Sequence, residues 1–181
     1  LWRQSDCASQ IWNFYDKTAN LFTPQIHNQI MGNGKAAGEF PITYWLSGML
    51  YRVLDPHIWI ARMVHVLIVF SGLWAFSRTI QRILKDRFWA AAIPILLFSS
   101  PVFVFYTCNF LPEPPAMGCI FWGWYFFFKY REEQIFSSFI WSVAFFSLGT
   151  LIKVSTGISF VAVAGIFFIE WNRWQTFGEA D

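Results

Sequence analysis

The stretch that decides the fold is residues 135–171, which reads IFSSFIWSVAFFSLGTLIKVSTGISFVAVAGIFFIEW. It is apolar almost throughout, and Lys153 interrupts it near the middle. A helix that crosses a membrane needs about 20 mainly apolar residues. The stretch therefore predicts two membrane-spanning helices, over residues 135–152 and 155–171, with a charged residue at the turn between them.

Three further stretches have nearly the same length and apolar character: residues 57–79, 88–107 and 114–128. Two of the five stretches are short, but aromatic residues flank them, and such residues occupy the membrane–water interface. Residues 1–55 differ because they mix polar and aromatic side chains with glycine and proline. We predict an all-α protein, with a polytopic membrane helical bundle of about five spans over residues 56–181. Residues 1–55 are predicted to form an outward-facing catalytic loop with juxtamembrane amphipathic helices.

The composition excludes a soluble protein. Of the 181 residues, 56% are hydrophobic, 22% are aromatic and only 13% are charged. A soluble domain carries about a quarter charged residues, and a chain of this length has a large surface to hydrate. The net charge of +2, without a basic tract, argues against nucleic acid as a partner. The three cysteines match no metal-binding spacing and no disulfide framework.

Basic residues near the helix ends predict the orientation, because cytoplasmic loops of membrane proteins carry an excess of lysine and arginine. Seven such residues lie between the first and second spans, between the third and fourth, or after the fifth: Arg78, Arg82, Lys85, Arg87, Lys129, Arg131 and Arg173. The alternate connections hold only Lys153. We expect an integral membrane protein of a bacterial inner membrane, with residues 1–55, the turn at 109–115 and the turn at Lys153 facing the periplasm or exterior.

The outward loop is predicted to contain two helices. Asp6 can cap a helix that runs to about Lys17. One face of this helix carries an apolar stripe, formed by Ala8, Ile11, Trp12 and Tyr15. Because the opposite face is polar, we expect the helix to lie in the membrane interface rather than to cross the bilayer. A glycine-containing turn follows at residues 35–41, and a second helix at residues 42–54.

Four charged residues are expected on the outward side, beside spans where charge is costly: Asp6, Glu39, Glu113 and Lys153. Each also has an ordinary structural explanation. Asp6 can be a helix cap, the two glutamates can be solvated turn residues, and Lys153 can extend from a helix end towards water. The alternative is that three carboxylates and one ammonium line a shared cavity.

Short motifs around these charges resemble one family. They are Asp6 with the helix that follows it, GEFPITYWL at residues 38–46, NFLPEPPA at residues 109–116 and LIK at residues 151–153. In this order they resemble the N-terminal part of the polyprenyl-phosphate-sugar-dependent membrane glycosyltransferases. This C superfamily includes the protein O-mannosyltransferases and the lipid A aminoarabinose transferases. Because family members have a helix before this region and more helices after it, the resemblance implies that the chain is a fragment.

The resemblance implies an inverting transfer of a sugar from a polyprenyl-phosphate donor to an acceptor hydroxyl on a lipid, glycan or protein. Asp6 matches the catalytic base, which would take the proton of the attacking hydroxyl. Lys153 is expected to offset the negative charge that grows on the leaving phosphate. Glu39, Glu113 and Lys153 are together expected to bind substrate, and Glu113 stands where the family usually has aspartate.

Glu39 matches a position that helps to hold a divalent metal in aminoarabinose transferases. Those enzymes place a lysine after it, whereas this sequence has Phe40. The difference implies either another donor headgroup or another cation in place of that lysine. The histidine that completes the metal site in the family would lie beyond residue 181. We therefore assign no cofactor with certainty and keep a divalent metal at Glu39 as an alternative.

A transporter or channel subunit is the main alternative function. Such a protein would use intramembrane charges, here Arg62 and Lys153, along a solute path. Transporters often contain paired broken helices or internal repeats, and the sequence shows neither. A membrane anchor without chemistry would leave Glu39 and Glu113 unexplained. We therefore favour the glycosyltransferase.

Overall fold

The computed structural model describes residues 2–26 and 39–178, with side chains over 3–26 and 39–171. The described chain is helical, which confirms the predicted all-α class. Its helices are α1 (Trp2–Asp16), α2 (Ile42–Leu54), α3 (Ile58–Leu84), α4 (Arg87–Phe98), α5 (Pro101–Thr107), α6 (Glu113–Glu133), α7 (Phe136–Ile152) and α8 (Ile158–Gly178). A short 3₁₀ helix, Val154–Gly157, joins α7 to α8. Most of the turn predicted at 35–41 lies outside the described residues.

The central helix of the bundle is α6, which packs most extensively against α7 and α3. Helix α2 packs against α3, and α1 packs against α2. The pair α4 and α5 contacts α3 from another side. Because α6 and α7 are joined by a short turn, they run antiparallel, and the first residue of α6 lies near the last residue of α7.

Two glycines allow α3 and α6 to cross closely. A Cβ atom added to Gly72 would lie 2.7 Å from the carbonyl oxygen of Gly118. One added to Gly118 would lie 2.9 Å from the carbonyl oxygen of Ile68. Small residues at a helix crossing let the two backbones approach, as is common between membrane helices. The crossing sets the position of α6, and with it the position of Glu113 at its start.

A buried apolar cluster holds α1 and α2 against the start of α3. Its members are Cys7, Ile11, Phe14, Tyr44, Tyr51, Ile60, Ala61 and Phe110. At Gly48 of α2, an added Cβ would lie only 2.6 Å from the Cβ of Phe14, so α1 fits because this residue has no side chain. Burial of one large apolar side chain contributes about 1.5–3 kcal/mol. The cluster therefore fixes α1, which carries Arg3 and Asp6.

The start of α1 differs from the prediction, whereas its end does not. The chain is already helical at Trp2, so Asp6 lies inside the helix and the prediction that it caps the helix is wrong. The helix ends at Asp16, one residue before the predicted end. The second predicted helix is confirmed, because α2 covers Ile42–Leu54.

The buried face of α1 also differs in part from the predicted stripe. Trp12 was expected on the apolar face, but its side chain is 46% exposed. Asn13 is polar, but it is buried, and its Nδ2 donates a hydrogen bond to the carbonyl of Gln25 at 2.7 Å. This bond offsets part of the cost of burying the amide group, whereas Oδ1 of Asn13 has no hydrogen-bond partner among the described residues. Contact with the segment after the helix therefore decided which face is covered.

The number of membrane spans remains a prediction, although helices occupy all five predicted stretches. Among the described residues, two helical segments are long and apolar enough to cross a membrane, Ile58–Leu84 and Val154–Trp171. The expected single span at 88–107 is divided into α4 and α5, which bend by 73° at the break between them. The bend is explained by Pro101, because proline lacks the N–H that would continue the helical hydrogen bonds.

If α4 and α5 together form one broken span, the described residues hold three candidate spans. The remaining two stretches fall short for different reasons. α7 is apolar but has only 17 residues. α6 has 21 residues, but its prolines, tryptophans, tyrosines and terminal charges make it less apolar.

We expect Gly72→Ala to destabilise the bundle, because the added methyl group cannot fit against the backbone of Gly118. Overpacking of this kind costs about 1–3 kcal/mol. Gly165→Ala is the matched control, since it also replaces a helical glycine but its added Cβ meets no atom within 4 Å. Thermal unfolding in detergent should give a lower midpoint for Gly72→Ala only. Equal midpoints for the two variants would contradict the close crossing.

Candidate active site

The fold brings three of the predicted site residues together at one end of the bundle. Glu39 precedes α2, Glu113 is the first residue of α6, and Lys153 directly follows α7. The segment that carries Glu39 is tied to α7, because the backbone N–H of Phe40 donates to the carbonyl of Leu151 at 3.1 Å. Residues far apart in the sequence therefore meet because two antiparallel helices and one loop end at the same place.

Arg3, Glu39, Glu113 and Lys153 form what we call the charged quartet. The Nζ of Lys153 lies 2.6 Å from Oε1 of Glu39 and 3.0 Å from Oε1 of Glu113. Arg3 bridges the same two atoms, with Nη2 2.6 Å from Oε1 of Glu39 and Nη1 2.9 Å from Oε1 of Glu113. Each carboxylate therefore contacts both cations, and the four formal charges cancel.

The sequence reasoning missed Arg3. A signal was available, because Arg3 precedes Asp6 by three residues and side chains at that spacing lie on the same side of a helix. Its two carboxylate partners are separated from it by 36 and 110 positions in the sequence. Only the packing of α1 against α2 brings the guanidinium to them.

The quartet is partly shielded from solvent, which makes its charges depend on one another. The side chains of Glu39, Glu113 and Lys153 are 22%, 28% and 23% exposed, and that of Arg3 is 45% exposed. Partial burial opposes ionisation of Glu113, but the hydrogen bond from Lys153 and the charge of Arg3 outweigh it. The pKa of Glu113 therefore lies below its ordinary value of 4.5.

The same contacts act in the opposite direction on the cations. Burial alone would lower the pKa of Lys153, but its hydrogen bonds to Glu39 and Glu113 raise the pKa above the ordinary value. For Arg3, burial is likewise outweighed by the nearby charges of Glu113 and Glu39, and the pKa is raised. These three shifts all favour the charged forms, so Glu113, Lys153 and Arg3 stay ionised over a wide pH range.

One oxygen of the quartet has no protein partner within residues 2–26 and 39–178. It is Oε2 of Glu113, which is buried and accepts no hydrogen bond there. Glu113 occupies the first position of α6, where a carboxylate is favoured by the helix dipole. This oxygen is therefore held in place and retains the capacity to accept a hydrogen bond.

Asp6 lies outside the quartet. It is partly exposed on α1, one turn after Arg3, and its carboxylate forms no ion pair with the cations in the described part of the chain. The next residue, Cys7, is buried and accepts a hydrogen bond from the Tyr44 hydroxyl at 3.0 Å. Burial raises the pKa of the Cys7 thiol. The turn that carries Asp6 is thus anchored in the apolar cluster, while the carboxylate itself is not neutralised.

Two cavities lie at or near this end of the bundle, and the first of them includes a residue of the quartet. The first is an open groove of about 320 Å³ in which Glu39 is the charged lining residue beside apolar neighbours such as Phe22, Phe40 and Leu151. The second, of about 410 Å³, lies among α2, α3, α6 and α7 and is almost wholly apolar, with Ile42 and Ile152 in its wall. The groove at Glu39 therefore presents an apolar surface beside the quartet, and the second cavity begins at the residue that precedes Lys153.

The side chains around Glu39 do not fit a divalent metal site. Within the described ranges, no group of three or more histidine, cysteine, aspartate or glutamate residues is close enough to hold a metal ion. Both cations of the quartet already contact the carboxylate of Glu39, so a metal would have to compete with two positive charges. We derive no step through a metal.

A comparison with protein families matches residues 37–179 to the dolichyl-phosphate-mannose-protein mannosyltransferases. The chain belongs to this family. It is therefore a membrane glycosyltransferase of the C superfamily, and the resemblance drawn from the sequence motifs is confirmed. Comparisons with curated proteins and with solved structures give no match.

The residues matched to the mannosyltransferase family include Glu39, Glu113 and Lys153. Arg3 and Asp6 precede the matched range. Family membership, together with the apolar helices, makes the chain an integral membrane protein.

We expect Glu113→Gln to lower the stability of this membrane glycosyltransferase at neutral pH but not in strong acid. Because the folded pKa of Glu113 is lowered, its ionised form stabilises the fold above the ordinary pKa of 4.5. That stabilisation is lost as the pH falls through the folded value. Unfolding midpoints of the variant and the unaltered chain should differ at neutral pH and converge in acid, once the pH lies below the lowered pKa of Glu113.

The control for this experiment is Asp55→Asn, which removes an exposed carboxylate that forms no ion pair with the described residues. It should shift the midpoint little at either pH. A midpoint difference for Glu113→Gln that is equally large in acid would show that the loss comes from packing rather than from charge.

Proposed function

We propose that this chain transfers a sugar from a polyprenyl-phosphate donor to a hydroxyl group of a lipid, glycan or protein, with inversion at the anomeric carbon. Family membership supports glycosyl transfer in general. The observation that carries the finer proposal is the charged quartet beside an unpaired carboxylate, at one end of the helical bundle. A lipid-linked donor has the matching chemistry, because it joins a charged phosphate to a long apolar chain.

The two cations of the quartet are proposed to bind the donor phosphate. A lysine ammonium has three N–H donors and an arginine guanidinium has five. Lys153 and Arg3 each contact two carboxylates, so both keep donors for a further anionic group. Charge-assisted hydrogen bonds of this kind are strong, and they would offset the negative charge that grows on the leaving phosphate.

Asp6 is proposed to act as the general base. Because no described cation neutralises it, its carboxylate can accept a proton. It follows Arg3 by three residues, which is about 4.5 Å along a helix axis. The acceptor oxygen would lose its proton to Asp6 and form a bond to the anomeric carbon. The bond from that carbon to the phosphate oxygen would break, and its electron pair would leave with the phosphate.

The two glutamates are proposed to hold the cations and to contact the substrate. Oε2 of Glu113 has no partner among the described side chains and can accept a hydrogen bond from a hydroxyl of the sugar or acceptor. Glu39 lines the open groove beside the quartet. The neighbouring apolar cavity, with Ile42 and Ile152 in its wall, would cover part of the prenyl chain.

We also propose that the quartet faces the periplasm or exterior and that the membrane is a bacterial inner membrane. The distribution of basic residues supports this orientation, because Arg78, Arg82, Lys85 and Arg87 lie at the end of α3 and the start of α4, away from the quartet. An excess of lysine and arginine marks the cytoplasmic side.

We expect Asp6→Asn to reduce sugar transfer by about 10²–10⁴-fold, the usual contribution of a general base, with little change in donor binding. Transfer from dolichyl-phosphate mannose can be followed in membranes that contain the protein. Asp16→Asn is the matched control, because Asp16 is an exposed carboxylate at the end of the same helix. If Asp6→Asn retained the activity of Asp16→Asn, Asp6 would not be the base.

We expect Lys153→Ala to weaken binding of a polyprenyl-phosphate donor by about 10–100-fold, because it removes charge-assisted hydrogen bonds to the phosphate. Lys153→Arg should retain part of the affinity, and Lys17→Ala, which removes an exposed lysine after α1, should retain all of it. Direct titration with dolichyl phosphate measures these affinities. Unchanged affinity in Lys153→Ala would remove this lysine from the donor site.

A further inference from the structure

A second polar cavity lies at the end of the bundle opposite the charged quartet. It has a volume of about 390 Å³ and is lined by Trp74, Arg78, Gln81, Arg82 and Tyr125. The first four residues belong to the last turns of α3, and Tyr125 belongs to the second half of α6. Because α6 begins at the quartet with Glu113, this cavity is separated from the quartet by much of the length of α6.

One arginine in this cavity is already neutralised. Arg82 forms ion pairs with Glu132 and with Glu133, the latter at 3.5 Å. Lys129 also lies 3.9 Å from the carboxylate of Glu133. The acidic side chains on this part of α6 are therefore occupied by Arg82 and Lys129.

Arg78 differs because it has no carboxylate partner among the described residues. Its Nη1 donates a hydrogen bond to Oε1 of Gln81 at 3.1 Å. Its guanidinium carbon lies 5.3 Å from the ring centre of Trp74, a distance at which a cation is attracted to the aromatic face. Arg78 is therefore held at the cavity, its side chain is exposed, and most of its N–H donors have no protein partner among the described residues.

An apolar cavity of about 450 Å³ adjoins the polar one, and Trp74 lines both. It runs between α3 and α4, with Phe70 and Leu73 on one wall and Pro94 and Phe98 on the other. Along α3 it extends from Ser77 back to Phe70, which is about 10 Å of helix. A charged pocket thus opens into an apolar channel that runs away from Arg78.

We propose that these two cavities bind one anionic glycerophospholipid, with its phosphate on Arg78 and one acyl chain between α3 and α4. The planar guanidinium matches the oxygens of a phosphate group, and basic pockets between membrane helices suit such headgroups. The apolar channel favours a lipid over free phosphate, because only a lipid has an acyl chain that can pack against the side chains of the channel. This site is separate from the donor site, since no residue of the quartet lines either cavity.

Native mass spectrometry of the purified chain in detergent tests the proposal. The probes are dioleoylphosphatidylglycerol, dioleoylphosphatidylcholine and glycerol 1-phosphate. We expect one phosphatidylglycerol to bind with about tenfold higher affinity than phosphatidylcholine, because one unneutralised arginine contributes about that factor. Arg78→Ala should abolish this preference. Arg87→Ala, which removes an exposed arginine near the same end but outside both cavities, should preserve it.

A second variant tests the channel without touching the arginine. Ala91 is an exposed residue that lines the apolar cavity, so Ala91→Trp should fill the cavity and weaken binding of both lipids. The proposal fails if Arg78→Ala binds phosphatidylglycerol normally, if Arg87→Ala loses the preference equally, or if Ala91→Trp changes nothing. It fails also if glycerol 1-phosphate displaces the lipid at equal concentration, because the site would then recognise phosphate alone.

Discussion

Two carboxylates shared between two cations connect four separate parts of this molecule. Glu39 and Glu113 each contact both Arg3 and Lys153, so α1, the segment before α2, α6 and the end of α7 are joined at one end of the bundle. Taking charges out of water is costly, and the cost is offset only when each charge has a partner. Removal of one member would leave another charge shielded from water and uncompensated. The active-site geometry and the packing of these helices therefore depend on the same contacts.

The two ends of the bundle use their charges differently. At the quartet, positive and negative charges balance, and the carboxylate of Asp6, one helical turn after Arg3, has no ion pair among the described residues. At the opposite end, Arg82 is paired with glutamates of α6, whereas the guanidinium of Arg78 has no carboxylate partner within the described residues. A base for an acceptor hydroxyl and a site for an anionic headgroup need opposite charges. The helices between the ends keep these two environments apart.

The sequence predicted the all-α class well because the length of an apolar stretch is a local property of the sequence. Helices formed at every predicted stretch, α2 has the predicted bounds, and the family resemblance drawn from short motifs was confirmed. Predictions from local sequence were wrong where tertiary packing or a proline determines a helix boundary or the burial of a side chain. Asp6 is inside α1 rather than at its cap, Trp12 is exposed although Asn13 is buried, and a sharp bend before Pro101 divides one expected span.

By itself the sequence determined that this is a helical membrane glycosyltransferase, and it offered Asp6, Glu39, Glu113 and Lys153 as candidates for one shared cavity. Composition, apolar periodicity and the order of motifs can be read from the sequence without knowing how the helices pack. Only the tertiary structure decided that Arg3 joins Glu39, Glu113 and Lys153, and that Asp6 forms no ion pair with the described residues. The reason is that an ion pair depends on distance in space. The close approach of α1 to α2 at Gly48 brings Arg3 to carboxylates that lie 36 and 110 positions away in the sequence. No local sequence pattern indicates such a contact.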